Sequence, residues 1–202
     1  LTTEYNYKID LNTSFTGSDN LYAGFEVGNQ NQLVMDSSVI GGNGLAIDSL
    51  YYQFPVGDFT VTAGPLLDQD TVISATTSVY SDAFRLASMP WGTAGDNGAG
   101  VGISYLADNG WNASFNLLSQ EEPDADTTDT DGVQDAVTGA FTEESTDQYT
   151  ASIGYDAANY GGGVVYTAED QFGVDATDSK DKSIGAGVYF RPDGFPTISL
   201  TL

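Results

Sequence analysis

The densest set of chemically versatile side chains is an acidic segment, residues 121–136 (EEPDADTTDTDGVQDA), with seven carboxylates and no cation. Calcium takes roughly six to eight oxygen ligands, often from a turn that contains a glycine. Asp129, Asp131 and Asp135 surround Gly132 with a suitable spacing, so this segment is a candidate calcium site. Acidic runs are more often solvated loops, and the alternative is a diffuse negative charge that concentrates cations and repels anions.

Catalytic chemistry is not expected from the remaining residues. The chain has no His and no Cys, so the commonest general base and every thiolate nucleophile are missing. The fragment GAGVG at 98–102 resembles part of a dinucleotide-binding loop, but it lies in an alternating segment without a helix after it. We therefore predict that the protein is not an enzyme and that it needs no cofactor, with calcium as the one ligand to consider.

The overall charge limits the partners. Five Lys and Arg against 29 Asp and Glu give a net charge of −24, which would repel nucleic acid phosphates. Nucleic acid is therefore excluded as a partner. No window reaches the roughly 18 apolar residues of a membrane-spanning helix, yet a hydrophobic fraction of 40% is too high for a disordered chain.

Three further charged residues, Lys8, Asp10 and Glu26, lie in segments where apolar and polar residues alternate. This alternation is typical of strands with one apolar face, and it predicts that the three charges share the opposite face. A charge within a membrane strand is tolerated where that face is aqueous, so the three residues are candidates for the lining of a lumen. An ion pair that joins two neighbouring strands is an equally good interpretation.

The elements that position these side chains are predicted to be strands only. Alternation of period two marks about ten of them, at residues 5–12, 21–27, 49–54, 59–64, 100–105, 111–117, 149–155, 161–166, 183–190 and 197–202. The connections alternate between two kinds. Short turns rich in Gly, Asp, Asn and Pro lie at 17–20, 56–58, 107–110, 156–159 and 192–196, and long polar loops lie at 28–44, 66–97, 119–147 and 168–181.

Short turns at one end and long loops at the other are typical of an antiparallel transmembrane β-barrel. The face opposite the apolar one consists of Gly, Ser, Thr and Asn, which cannot fill a packed interior but can line a wet channel. A soluble or cell-surface β-sandwich that binds a ligand such as calcium remains the alternative, because its strands also alternate. A third possibility is a purely structural component of the cell wall.

Four stretches resemble, in the same order, hairpins of the cyanobacterial outer-membrane porins, which are related to the OprB-type carbohydrate-selective porins and are often described as iron uptake porins. The stretches are LNTSFTGSDNLYAGFEVG from Leu11 to Gly28, VTAGPL at 61–66, GAGVGISYLADNGWNASFNLLS at 98–119 and YFRPDGFPTISL at 189–200. The resemblance implies a passive outer-membrane pore for small hydrophilic solutes and inorganic ions. It also implies contact with outer-membrane lipid and a homo-oligomer such as a trimer.

The same resemblance implies a longer polypeptide, in which a periplasmic S-layer-homology module precedes a barrel with more strands. Residues 1–202 are then expected to be a portion of that barrel domain. A small complete barrel of about ten strands is the alternative.

The connection from Leu66 to Asn97 is the strongest candidate for a functional loop. It is too long for a hairpin and partly apolar, so it is expected to fold inward, and the resemblance suggests that it narrows the pore. Rings of acidic side chains favour cations, which makes its charged residues candidates for a solute filter. These residues are Asp68, Asp70, Asp82 and Arg85. For Arg85 a simple surface pair with Asp82 is the alternative.

Overall fold

The computed structural model describes residues 5–28, 45–80, 97–121, 145–171 and 179–202. Ten strands and one short 3-10 helix, Gln69–Thr71, account for the regular structure in these ranges. No helix in these described ranges has the length and apolar character needed to cross a membrane. The strands are β1 (Asn6–Thr13), β2 (Asn20–Gly28), β3 (Ala46–Val56), β4 (Phe59–Asp68), β5 (Asn97–Leu106), β6 (Trp111–Glu121), β7 (Ser145–Asp156), β8 (Tyr160–Gln171), β9 (Ser179–Phe190) and β10 (Ile198–Thr201).

All ten strands belong to one antiparallel sheet in which each strand pairs with its neighbours in sequence, in the order β1 to β10. The prediction of an all-β antiparallel fold of about ten strands is confirmed. The sheet is open, because β1 and β10 form its two edges and do not pair with each other in the described part of the chain.

At the ends that lead into the long loops, the strands extend further than predicted. The loops predicted at 119–147 and 168–181 begin and end inside β6, β7, β8 and β9. Pairing continues there through polar residues, for example between Gln148 and Glu169. Ladder hydrogen bonds join backbone groups, so they persist where the side-chain alternation that reveals a strand has ended.

The two faces of the sheet differ in polarity and in exposure. The apolar face carries Ile9, Val101, Phe115, Ile153 and Val188, and it is open: Ile153 is 55% exposed and Val188 59% exposed. The polar face carries small polar residues that are buried, with Asn116 at 0% and Thr150 at 1% exposure. Soluble proteins bury the apolar side of a sheet and leave the polar side in water. This sheet has the reverse arrangement.

Two β-bulges change which residues reach the polar face. In β3 the pairing with β2 shifts between Gly24 and Phe25, which leaves Asp48 as an extra residue. In β4 an extra residue lies between Gly64 and Leu67, next to Pro65. Proline has no N–H to donate, so a bulge is a position where a strand accepts it. The extra residue in β4 shifts the alternation of the following side chains by one position, so Leu67 faces the polar side.

A small apolar core lies on this polar face. Leu67, Leu118, Val72 and Tyr51 are buried together, and the ring of Tyr22 stacks on Tyr51 with centroids 4.8 Å apart. The core joins β3, β4 and β6 to the chain that follows β4.

The short turns use glycines with left-handed backbone, such as Gly57 (φ 61°) and Gly110 (φ 95°), as tight hairpins require. The β1–β2 turn is held by the Asp19 carboxylate. It accepts hydrogen bonds from the backbone N–H groups of Phe15 and Thr16 and from the hydroxyls of Ser14, Thr16 and Tyr52. These donors stabilise the ionised form and hold the pKa of Asp19 well below its usual range.

Candidate functional site

Residues 69–80, here called the crossing segment, leave the end of β4 and run over the polar face toward β9. A side-chain oxygen of Asp68 accepts a hydrogen bond from the backbone N–H of Asp70 at 3.0 Å and so caps the 3-10 helix. The backbone N–H of Val72 then bonds to the carbonyl of Gln69 at 3.1 Å. This tight turn redirects the chain from the direction of β4 onto the face of the sheet.

Gln69 attaches the start of the crossing segment to the sheet. It is fully buried, and its side-chain amide donates to Asn116 Oδ1 on β6 at 3.1 Å and to Thr150 Oγ1 on β7 at 2.8 Å. The hydroxyls of Thr150 and Thr167 lie 3.1 Å apart, which continues the buried network to β8. Buried polar groups that are satisfied in this way hold their partners in one arrangement.

The middle of the segment lies on two neighbouring serines. The hydroxyl oxygens of Ser114 on β6 and Ser152 on β7 are 2.6 Å apart. The backbone N–H of Ser74 donates to Ser114 Oγ at 3.1 Å, and the backbone N–H of Ala75 donates to Ser152 Oγ at 3.4 Å. The serines thus satisfy backbone donors that would otherwise be buried without partners.

Asp156 holds the far part of the segment. Its carboxylate accepts hydrogen bonds from Asn112 Nδ2 at 2.8 Å, from the Tyr189 hydroxyl at 2.8 Å and from Thr76 Oγ1 at 3.3 Å. Further on, the Tyr80 hydroxyl donates to the carbonyl of Thr197 beside β10. The crossing segment is therefore tied to the sheet from β6 to the β9–β10 turn.

In its described part, the loop predicted from Leu66 to Asn97 lies against the polar face of the sheet. Of the four predicted filter residues, Asp68 caps the 3-10 helix and Asp70 lies within it, and both are half-buried. Asp82 and Arg85 lie outside the described residues.

The predicted lumen charges come together on the same polar face, near the β1 edge of the sheet, on β1 and β2. Lys8 and Glu26 are direct cross-strand partners, with Lys8 Nζ 3.5 Å from Glu26 Oε1. Asp48, the extra residue of the β3 bulge, lies with its Oδ2 3.6 Å from the same ammonium. Asp10 Oδ1 accepts a hydrogen bond from the Tyr22 hydroxyl at 2.5 Å. We call Lys8, Asp10, Glu26 and Asp48 the charge cluster.

The charge cluster holds three carboxylates around one ammonium, so it carries an excess of negative charge. Glu26 is only 3% exposed, whereas the Lys8 side chain is 39% exposed. The ion pair between strands that sequence reasoning offered is therefore present. The cation of the pair still reaches solvent.

Sequence reasoning did not identify Asp48, Gln69 and Asp156. The parity of Ser152, Gly154 and Asp156 along β7 was a usable signal, since it places Asp156 on the polar face. Asp48 owes its position to a bulge and Gln69 to the path of the crossing segment, and the pattern of period two reports neither.

The calcium candidates Asp129, Asp131 and Asp135 lie outside the described residues. Within the ranges that the structure covers, no group of three or more acidic side chains is arranged to hold a metal ion.

The apolar face carries a row of aromatic residues at the short-turn end of the strands. Ring centroids are 5.3 Å apart for Phe59 and Tyr105, 5.4 Å for Trp111 and Tyr155, and 6.0 Å for Tyr155 and Tyr160. This aromatic row extends from β4 to β8 at one level of the sheet. Trp and Tyr rings have an apolar body and a polar tip, which suits a boundary between an apolar and an aqueous medium.

Comparison with known proteins adds no family assignment. No protein-family model and no curated protein sequence matches the chain.

Proposed function

We propose that this sheet is part of the wall of a transmembrane β-barrel in an outer membrane, a passive pore for small hydrophilic solutes and inorganic ions. The observation that carries the proposal is the reversed burial of the two faces. An apolar face that is open on most of the ten strands and half-buried on β2 is unfavourable in water but suits hydrocarbon, and a polar face suits the inside of a barrel.

The size of the apolar face supports a lipid environment. Ten strands about 4.8 Å apart, with about 20 Å of apolar length each, make a surface of roughly 900 Å². Soluble monomers rarely expose contiguous apolar patches beyond a few hundred Å². Strands β2 to β9 have 9 to 12 residues, close to the roughly 9–11 that cross a bilayer with the usual tilt.

The aromatic row supports an orientation of the sheet relative to the membrane. In membrane barrels, aromatic girdles lie at the levels where hydrocarbon meets the headgroups. The row would mark the boundary at the short-turn side, which in such barrels is the periplasmic side.

We further propose that the pore favours cations. The net charge of −24 and the negative excess of the charge cluster both raise the local concentration of cations. The crossing segment then narrows the passage from one side, while the charge cluster lines the other side.

Purification with and without detergent, followed by planar-bilayer recording in a salt gradient, tests the proposal. We expect the protein to require detergent, to give stepwise conductance and to show a reversal potential of the cation-selective sign. Anion selectivity would refute the charge argument. A monodisperse protein without detergent, with calcium-dependent melting and no conductance, would instead support the soluble or cell-surface binding module. Membrane association without conductance would support a structural role.

A further inference from the structure

The crossing segment rests in a groove from which side chains are missing. Gly102 on β5, Gly154 on β7, Gly163 on β8 and Gly187 on β9 all face it. Gly154 pairs with Gly163, and Gly163 pairs with Gly187, so three of the four form one continuous row across neighbouring strands. We call these four residues the glycine seat.

The segment occupies the space that Cβ atoms would fill. A Cβ on Gly163 would lie 2.6 Å from the Cβ of Ala75, and a Cβ on Gly154 would lie 3.1 Å from the same atom. A Cβ on Gly102 would overlap the side chain of Val72, and a Cβ on Gly187 would overlap the carbonyl oxygen of Thr77. At Gly154 the nearest atom to the added Cβ would be Asn112 Oδ1, at 2.7 Å. Carbon atoms in contact prefer about 3.5–4.0 Å, so a substitution at Gly163 or Gly187 must move the segment.

At two of the four glycines, Gly163 and Gly187, the neighbouring atoms cannot yield by rotating a side chain. At Gly163 the obstructing atom is the Cβ of Ala75, and at Gly187 it is a backbone carbonyl. Gly24, also on the polar face, differs in this respect. The three atoms nearest to its Cβ would all belong to Tyr22, with the hydroxyl oxygen closest at 3.0 Å, and none to the crossing segment.

We infer that the glycine seat determines how closely the crossing segment lies against the wall, and that these four glycines are positioning residues for the width of the passage. The first part of this inference, the position of the segment, stands on the structure alone. The second part, the width of the passage, rests on the proposed pore function. If the crossing segment is displaced away from the wall, it occupies more of the cross-section of the passage. A larger residue in the glycine seat should therefore narrow the passage.

A cysteine pair reports the position of the segment independently of conductance. The chain has no native Cys, and the hydroxyl oxygens of Ser74 and Ser152 are 3.4 Å apart. Ser74→Cys with Ser152→Cys should form a disulfide rapidly in the full-length protein, as measured by gel mobility without reductant. Disulfide geometry tolerates little displacement, so adding Gly163→Val should slow its formation about tenfold or more. Gly24→Val is the matched control and should leave the rate unchanged.

Two further variants separate displacement from misfolding. Ala75→Val adds its bulk on the segment, outside any strand, and should slow the disulfide as Gly163→Val does. Gly163→Ala combined with Ala75→Gly moves one methyl group from the segment to the seat, and it should cross-link faster than Gly163→Ala alone. Equal rates in Gly163→Val and Gly24→Val, or no rescue by Ala75→Gly, would overturn the inference.

Conductance tests the second part. The unit conductance of Gly163→Val should be lower than that of the wild type. An unchanged or larger conductance, with the segment displaced, would overturn the role of the seat in setting pore width. If even the wild type does not conduct, the proposed function fails, while the cross-linking result still decides whether the glycines position the segment.

Discussion

Removal of the ammonium from the charge cluster should shift the ion selectivity of the pore in a calculable direction. Lys8→Met keeps most of the length of the side chain and deletes the charge that lies 3.5 Å from Glu26 and 3.6 Å from Asp48. The cluster then carries three carboxylates with no cation beside them. Cations in the passage should be attracted more strongly, and anions repelled more strongly.

The magnitude follows from screened electrostatics. An ion that passes about 8 Å from Lys8 in water interacts with a unit charge by about 0.5 kcal/mol, and physiological salt reduces this to about 0.2 kcal/mol. That energy changes the local cation and anion concentrations by about 1.4-fold in opposite directions. The ratio of cation to anion permeability should therefore rise about twofold. The low-dielectric wall would strengthen the effect.

The assay is the reversal potential of single channels in a salt gradient, at low and at high ionic strength. Glu26→Gln makes the opposite change in charge and should lower the permeability ratio by a similar factor. Lys182→Met is the matched control, because Lys182 is exposed on β9 next to Ile184, at the margin of the apolar face. It should leave the ratio nearly unchanged.

Opposite shifts for the two cluster variants would be difficult to obtain from general damage to the fold. Both effects should also shrink at high salt, as screening requires. An unchanged ratio in Lys8→Met, or a shift no larger than in Lys182→Met, would refute the idea that the β1–β2 side of the polar face lines the ion path.

Three further predictions concern the fold that supports this path. Gln69→Leu removes two buried side-chain hydrogen bonds and should lower the free energy of unfolding by about 2 kcal/mol, measured by denaturant titration in detergent. The lowered pKa of Asp19 means that its stabilising effect is complete above about pH 4 and declines as the pH falls further. Asp19→Asn should therefore reduce the unfolding midpoint at neutral pH, and this difference from the wild type should diminish on acidification. Trp111 is 53% exposed in the aromatic row, so in a Trp91→Phe background its fluorescence should be quenched more strongly by lipids brominated near the headgroups than by lipids brominated near the ends of the acyl chains.

The strands were predictable because alternation of period two and turn residues report directly on local backbone. β5 and β6, for example, are separated by ADNG, and the positive φ of Gly110 is what such a turn demands. The pairing of Lys8 with Glu26 was also within reach, because a short turn fixes the register of the hairpin.

The bulges were not predictable, since an extra residue in one strand is defined only against its partner. Asp48 joins the charge cluster for this reason alone. The same holds for Leu67, whose side chain would face the apolar side if β4 alternated without interruption. Contacts between the crossing segment and Asp156 were equally inaccessible, because they depend on the path of a long connection.

The small residues of the polar face also make room for the crossing segment. From sequence they indicated a wet lining, on the argument that Gly, Ser and Thr cannot fill an interior. On β5 to β9 they leave room for a second layer of chain, and residues such as Thr150 and Thr167 are consequently buried. On β1 the polar face has no such cover in the described part of the chain, and Lys8 and Asp10 are exposed. The exposed charges of the charge cluster therefore lie on β1, and in the proposed pore the ion path runs between the crossing segment and that side of the wall.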